Sequence, residues 1–452
     1  MYRRMMTGII AVALLLLQAC SGSDSGSSPY PLTGAGVGAV SVSITDAPAY
    51  GFDHVWITVK DLWLHTDGEA GQEQRGWYKF PLSSPITLDL LDLSNGTISA
   101  PVWDGIELPE GTYRQVRVHL AATEDALAAS AADAGLTFNN QVDVTDPAGS
   151  YPLRAPDPRR GILLEGTFEV KKNEKLKIAV DFDAGHDVVK IEHDGKTEYI
   201  LKPRLVHFDL NNAGAIIGHI DATAAAKCAT AQFVVKAEQL GPNGAVHVVR
   251  RATFIADPAT GLFVLYPLLP GSYDVLIRGI GYETVIIKNV PVLRGTRPQS
   301  GATAIPVITM TASPSADYLA GASITSPTGA WVDYYQTISG EDAPYQVRFR
   351  HFNPLTGQFA AFPLSTGPLQ VGTYDPASIT LAETVPVEGN GGFKAEAGAI
   401  LHERSGFVSV TQAAPTAAFG TLNVRFPATA RSVSGMITAP ETLAPGTGLD
   451  RG

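Results

Sequence analysis

Asp181, Asp183, His186 and Asp187 crowd into one short stretch, with His193 and Asp194 close behind, and form the densest set of candidate ligands in the chain. Carboxylates two apart on a strand project from the same face. Asp181 and Asp183, joined by Asp187 or by Asp46 from a neighbouring loop, are therefore a candidate calcium site. Calcium takes about six to eight oxygens, and these residues supply only part of that shell. The competing expectation is an ordinary solvated surface: Ile178, Val180 and Phe182 take the core side of the strand, leaving both aspartates on the side that carries Lys175 and Lys177.

A second candidate set is aromatic. Trp77 and Tyr78 follow a polar, glycine-rich loop at 68–76, and Trp331 stands near Tyr334 and Tyr335. Exposed rings stack on sugar faces while polar neighbours orient hydroxyls, so these five residues are candidate glycan ligands. The alternative for each ring is core packing, and Trp56, opposite Val55 and Ile57 in strand phase, is expected either exposed or packed between sheet and loop. Catalytic signatures are thin. His402-Glu403 opens a zincin-like phrase, but no second histidine follows at helical spacing. The sequence contains neither a Gly-x-Ser-x-Gly elbow nor a glycine-rich phosphate loop, and the expectation is a protein without catalytic activity.

The elements that would position these residues are strands. A turn phrase recurs as Leu108-Pro109-Glu110-Gly111-Thr112-Tyr113, as Leu269-Pro270-Gly271-Ser272-Tyr273 and, more loosely, as Leu369-Gln370-Val371-Gly372-Thr373-Tyr374. Glycine permits the turn, and the tyrosine enters the next strand with a buried ring and a polar tip. Such corners belong to sandwiches, and three copies at domain-length spacing predict three β-modules. Within the first, Val116, Val118 and Leu120 alternate with Gln115, Arg117 and His119, which predicts one core face and one wet face. The apolar phase changes between Val59 and Leu62, predicting a bulge near Asp61. The alanine-rich stretch 123–134 reads as a short helix or an excursion off the sheet.

A chain of 452 residues is too long for one core, and its 45 glycines, 31 prolines and 17% charged residues suit many short strands joined by tight turns. The net charge of −11 and the lack of a basic stripe argue against a nucleic-acid partner. The N-terminus carries an address. Arg3 and Arg4 precede an apolar run from Gly8 to Leu17, too short to span a bilayer, and the segment closes as Leu17-Gln18-Ala19-Cys20 before a Ser/Gly-rich tract. This resembles the bacterial lipobox, which implies lipid, palmitate among its acyl chains, on Cys20 and stable anchoring to a membrane. Ser21 in place of an aspartate implies the outer membrane. Cys228 is then left without a partner and reads as a small buried hydrophobe.

Further phrases carry a second resemblance. Ser43-Ile44-Thr45-Asp46-Ala47-Pro48, the stretch 52–65, Ile86-Thr87-Leu88-Asp89-Leu90-Leu91, the turn phrase at Leu108, Asp181-Phe182-Asp183-Ala184-Gly185 and Tyr199-Ile200-Leu201-Lys202-Pro203 are similar to the bacterial family called domain of unknown function four-three-eight-two. Its members are typically lipoproteins, and the resemblance brings no catalytic residues. Ala215-Ile216-Ile217-Gly218-His219-Ile220, Gly261-Leu262-Phe263-Val264, the phrase at Leu269 and Ile277-Arg278-Gly279-Ile280-Gly281-Tyr282-Glu283 resemble the carboxypeptidase regulatory-like domains. These are transthyretin-like sandwiches with a carbohydrate-binding-like fold.

The expected organisation is an all-β chain of tandem β-sandwich modules. A signal peptide (1–19) and a lipidated tether (20–37) precede the first sandwich (38–211), a regulatory-like sandwich (213–311), a third β-module (318–431) and a tail or start of a further module (432–452). The expected role is a non-catalytic envelope lipoprotein that binds a glycan or an envelope protein. A structural stalk or assembly subunit of the outer membrane is the first alternative, and a hydrolase with an unrecognised site the second. Calcium is the one cofactor considered.

Overall fold

In the computed structural model, residues 36–425 are described, apart from 146–147, 156, 158, 165, 194–195, 203–204, 326–328, 360 and 400–401. The signal peptide, Cys20, the tether as far as residue 35, the tail at 432–452 and Asp194 lie outside them, and the last tether residue, Val37, opens the first strand. Strands make up 53% of the molecule and helix 5%, so the all-β expectation holds. Alternating apolar residues are the reason: Val40, Val42 and Ile44 on one strand and Ile178, Val180 and Phe182 on another are all at most 1% exposed.

In the first module a four-stranded sheet runs in the order Val206–Asp209, Lys175–Phe182, Val37–Asp46, Trp103–Pro109. The central pair is parallel, with Thr45 opposite Asp181. A larger sheet, centred on His54–His65 and Gln115–Leu120, shares its core: Val55, Ile57, Leu62, Val116 and Val118 meet Val42, Val180 and Phe182. The predicted bulge is present, since the register of His54–His65 slips between Val59 and Asp61 against both neighbours. The alanine-rich stretch carries one short helix, Ala129–Asp133.

One expectation for this sheet fails. Gln115, Arg117 and His119 are buried along with their apolar neighbours, at 3%, 6% and 2% exposure. The loop after His65 folds over that face, and Trp63 and Trp77 roof it. Arg117 donates to Gln115 Oε1, Arg160 O and Ala70 O at 2.8, 3.0 and 3.4 Å, so a charged residue is tolerated there because its donors are used.

The second module is a sheet in the order Gly214–His219, Leu262–Leu268, His247–Asp257, Val234–Leu240, Gly271–Arg278, Thr284–Val292. Its last strand pairs in parallel with Leu369–Thr373, which lies beyond the expected boundary at 318. The sheet therefore continues through Ala382–Thr384, and residues of the third module pack on the second module's core through Tyr374, Ile379 and Leu381. The rest of the third module pairs Phe362–Leu364, Tyr318–Ile324 and Thr416–Phe419 in one sheet and Tyr345–His351, Ala330–Gln336, Phe393–Ala399 and Val408–Val410 in another. All the described residues belong to one compact unit.

The turn phrases divide two to one. Tyr113 donates to Pro109 O at 3.1 Å and Tyr273 to Leu269 O at 2.7 Å, each reaching back four residues across its own corner. Gly111 and Gly271 sit at φ of 151° and 158°, where a side chain is strained. The third copy is no corner. Gly372 lies inside a strand, and the Tyr374 hydroxyl donates instead to Ala304 O at 3.2 Å.

Candidate functional site

A cavity of about 550 Å³ opens where the three modules meet. The first module brings Tyr50, Asp181 and His186, the second Lys236, Arg251 and Arg278, and the third Trp331, Arg348 and Arg350. Local sequence aims these groups. Thr45 and Asp181 are register partners on adjacent strands, so both face Arg251, which ion-pairs with Asp181 and donates to Thr45 Oγ1 at 2.7 Å and Asp46 O at 2.8 Å. Burial pushes the Asp181 carboxyl up to about 6 against the pull of Arg251.

Beside it, Asp183 caps the short helix Ala184–Asp187 by accepting from His186 N at 3.2 Å, and its other oxygen meets His186 Nδ1 at 2.7 Å. Asp46 accepts from Ala184 N at 2.9 Å, leaves Oδ2 buried without a hydrogen bond among the described residues, and is held well above the usual carboxylate range by burial. His186 also lies 3.7 Å, ring to ring, from Phe349, and its carbonyl meets His351 Nε2 at 3.1 Å. Burial and the neighbouring His186 push His351 down to about 4.

The second and third modules meet through a polar seam. Lys236 donates to Gln346 O and Oε1 at 2.7 and 3.0 Å, and Gln346 N donates to Glu238 Oε2 at 3.1 Å. Burial drives the Glu238 carboxyl up and the Lys236 ammonium down, each resisted by the other's charge. Asp333 accepts from Arg404 at 2.6 Å and Gln346 at 2.7 Å.

The predicted site residues scatter over these surroundings. Asp181 does not lie on a solvated face with Lys175, because the second module covers its end of the strand and supplies Arg251. Asp183 is taken up by the helix cap and His186, and Asp187 is 3% exposed. Among the described residues, no three His, Cys, Asp or Glu side chains are arranged to hold a metal ion.

Of the aromatic candidates, Trp77 is 4% exposed, donates to Gly71 O at 2.9 Å and roofs the first module's polar face. Tyr78 is half-buried, edge-on to Tyr113. Tyr334 is fully buried and donates to Gly321 O at 2.9 Å. Tyr335 is also buried, edge-on to Phe407, and reaches the cavity wall. Trp331 does present a partly exposed ring to the cavity, with Nε1 3.3 Å from Asp333 Oδ2 and Arg404 5.3 Å from its centre.

Sequence reasoning missed the cavity's arginines. The available signal was Arg348 and Arg350, two apart in a strand of aromatic and apolar residues and hence on one face of it.

Residues 37–203 match the family model for the domain of unknown function DUF4382, which covers the first module apart from its last strand, Val206–Asp209. Comparison with curated proteins finds no match. Among solved structures, a crystal structure of the major pilin subunit of Bacillus cereus aligns over 86% of this chain and 99% of its own, at 9% identity and a TM-score of 0.11.

Proposed function

We propose that this chain is a lipid-anchored outer-membrane protein that binds a small polar ligand, a glycan fragment being the favoured class, in the cavity between its modules. One observation carries the reading: three modules converge on a single concavity whose 550 Å³ falls within the roughly 300–1,000 Å³ typical of ligand pockets. Binding is favoured over catalysis by the state of the carboxylates, since Arg251 occupies Asp181 and Arg404 with Gln346 occupies Asp333. No serine, threonine or cysteine is among the described residues that line the space. The lipobox at Cys20 supports the anchor, and the regulatory-like resemblance of 213–311 supports an accessory, carbohydrate-binding-like role for the second module.

Screening the detergent-solubilised full chain on a glycan array, followed by calorimetry, tests the reading. A hit should weaken by about tenfold or more in Trp331→Ala, whereas binding unaffected by that change, or an empty array, counts against it. Cys20→Ala should shift the protein out of the membrane fraction, and unchanged fractionation would remove the anchor. The alternative of a stalk or assembly subunit draws support from the sheet shared by the second and third modules. It is favoured if the array is empty and the protein self-associates with rising concentration.

A further inference from the structure

Three arginines crowd one part of the cavity, and among the described residues none of them ion-pairs with a carboxylate, although Asp317 lies near enough to Arg278 to favour its charge. Arg348 and Arg350 leave the same face of Tyr345–His351, and Arg278 reaches them from the end of Gly271–Arg278. Arg348 is 2% exposed, yet Nε, Nη1 and Nη2 all lack a hydrogen-bond partner among the described residues. What it touches is aromatic. Its guanidinium lies 4.4 Å from the ring centre of Tyr50 and 5.0 Å from that of Phe362, with Arg350 at 4.7 and 5.1 Å from the same two rings. Arg278 and Arg350 each spend one nitrogen on a backbone carbonyl, those of Pro363 at 2.5 Å and Phe349 at 3.1 Å.

An arginine does not shed its proton in a protein, so a buried guanidinium needs hydrogen bonds or an opposite charge. Ring faces return only part of the lost hydration. Crowding makes matters worse: burial and the charge of Arg348 push Arg278 down to about 9. Arg251, in the same cavity, shows the ordinary solution, with its partner Asp181 supplied by the chain. Arg348 has no such partner among the described residues, so the group that completes it has to come from elsewhere.

We propose that the cavity binds a small organic oxyanion, a carboxylate or phosphate carried on a body about the size of a sugar ring, with Arg348 as its chief donor and Arg278 and Arg350 beside it. The proposal rests on the cavity's being a ligand site. A guanidinium offers its donors in a planar fork that matches two oxygens of either headgroup. The body follows from size and lining, because a bare ion would leave most of 550 Å³ unfilled beside the partly exposed ring of Trp331.

Calorimetry on the detergent-solubilised full chain, with glucuronate, glucose 6-phosphate, glucose, acetate and inorganic phosphate as probes, tests this. Glucuronate or glucose 6-phosphate should bind about tenfold or more tightly than glucose, and whichever of the two binds identifies the headgroup. Arg348→Met should abolish that preference without lowering the melting temperature of the ligand-free protein, since the charge it removes has no hydrogen-bond partner among the described residues. Arg348→Lys, which keeps charge but loses the fork, should fall between. Equal binding of glucose and the acids, or undiminished binding by Arg348→Met, overturns the proposal. Inorganic phosphate or acetate binding as tightly as the sugar acids overturns the ring-sized body. If glucose binds in a Trp331-dependent way without preference for the acids, the oxyanion fails and the ligand site stands; if no probe binds and the glycan array is empty, both fail.

Discussion

Arg117 and Arg348 occupy matching positions in two regions of the molecule and are held in opposite ways. Each lies on a strand, is almost wholly buried and packs against an aromatic ring, Trp77 in one region and Tyr50 in the other. Under the loop of the first module, every guanidinium nitrogen of Arg117 has an acceptor. In the cavity between modules, no guanidinium nitrogen of Arg348 has one among the described residues. Burial and ring contact are thus common to both; hydrogen-bond satisfaction separates them. A folding core that buries a charge supplies its partners, and a charge left without them calls for an explanation, which the proposed oxyanion would supply.

The contrast breaks most sharply where a buried partner is removed. Arg251→Ala strands Asp181 in a buried setting and should cost about 3–5 kcal/mol, measured by chemical denaturation. A loss near zero would mean that water reaches Asp181 and that the modules do not close over it. Arg117→Met should cost about 2–4 kcal/mol, because three acceptors lose their donor together. Arg348→Met should go the other way, neutral or stabilising by about 1–2 kcal/mol in the ligand-free protein. Equal losses in these last two variants would erase the distinction between the regions.

Smaller effects sharpen the same logic. Tyr113→Phe should cost about 1 kcal/mol through its corner bond, and Tyr374→Phe less, since that hydroxyl closes no corner and lies at the surface. Reversed ranking in thermal melts would count against the corner as a stabilising device. His351 should leave a mark on the pH dependence. Its folded-state value of about 4 lies below the ordinary 6.5, so between these pH values the unfolded chain binds the extra proton. Stability therefore falls as pH drops through this window, and His351→Gln should flatten that part of the profile.

Much of the fold is legible in short stretches. The bulge at Asp61, the helix in the alanine-rich stretch and the corners at Tyr113 and Tyr273 each follow from a few consecutive residues, because alternation, glycine backbone freedom and a four-residue hydroxyl reach are local matters. The third turn phrase misleads for the same reason. Its residues resemble a corner, but Leu369–Thr373 finds a better outlet for its backbone by extending the second module's sheet. The candidate site was legible only in outline: Asp181, Asp183, His186, Trp331 and Tyr335 do reach the cavity, while Trp77 and Tyr334 became core.

Residue order alone settled that this chain folds from strands, where several of them turn, and which face of each meets its own module's core. Tertiary packing decided what happens to the opposite faces. Whether a second face meets water, a covering loop or another module depends on segments up to 206 positions apart, as between Arg251 and Thr45. Alternation cannot encode that distance, so the charges that such contacts bury, paired at Arg251 and, among the described residues, unpaired at Arg348, emerge only once the modules close on one another.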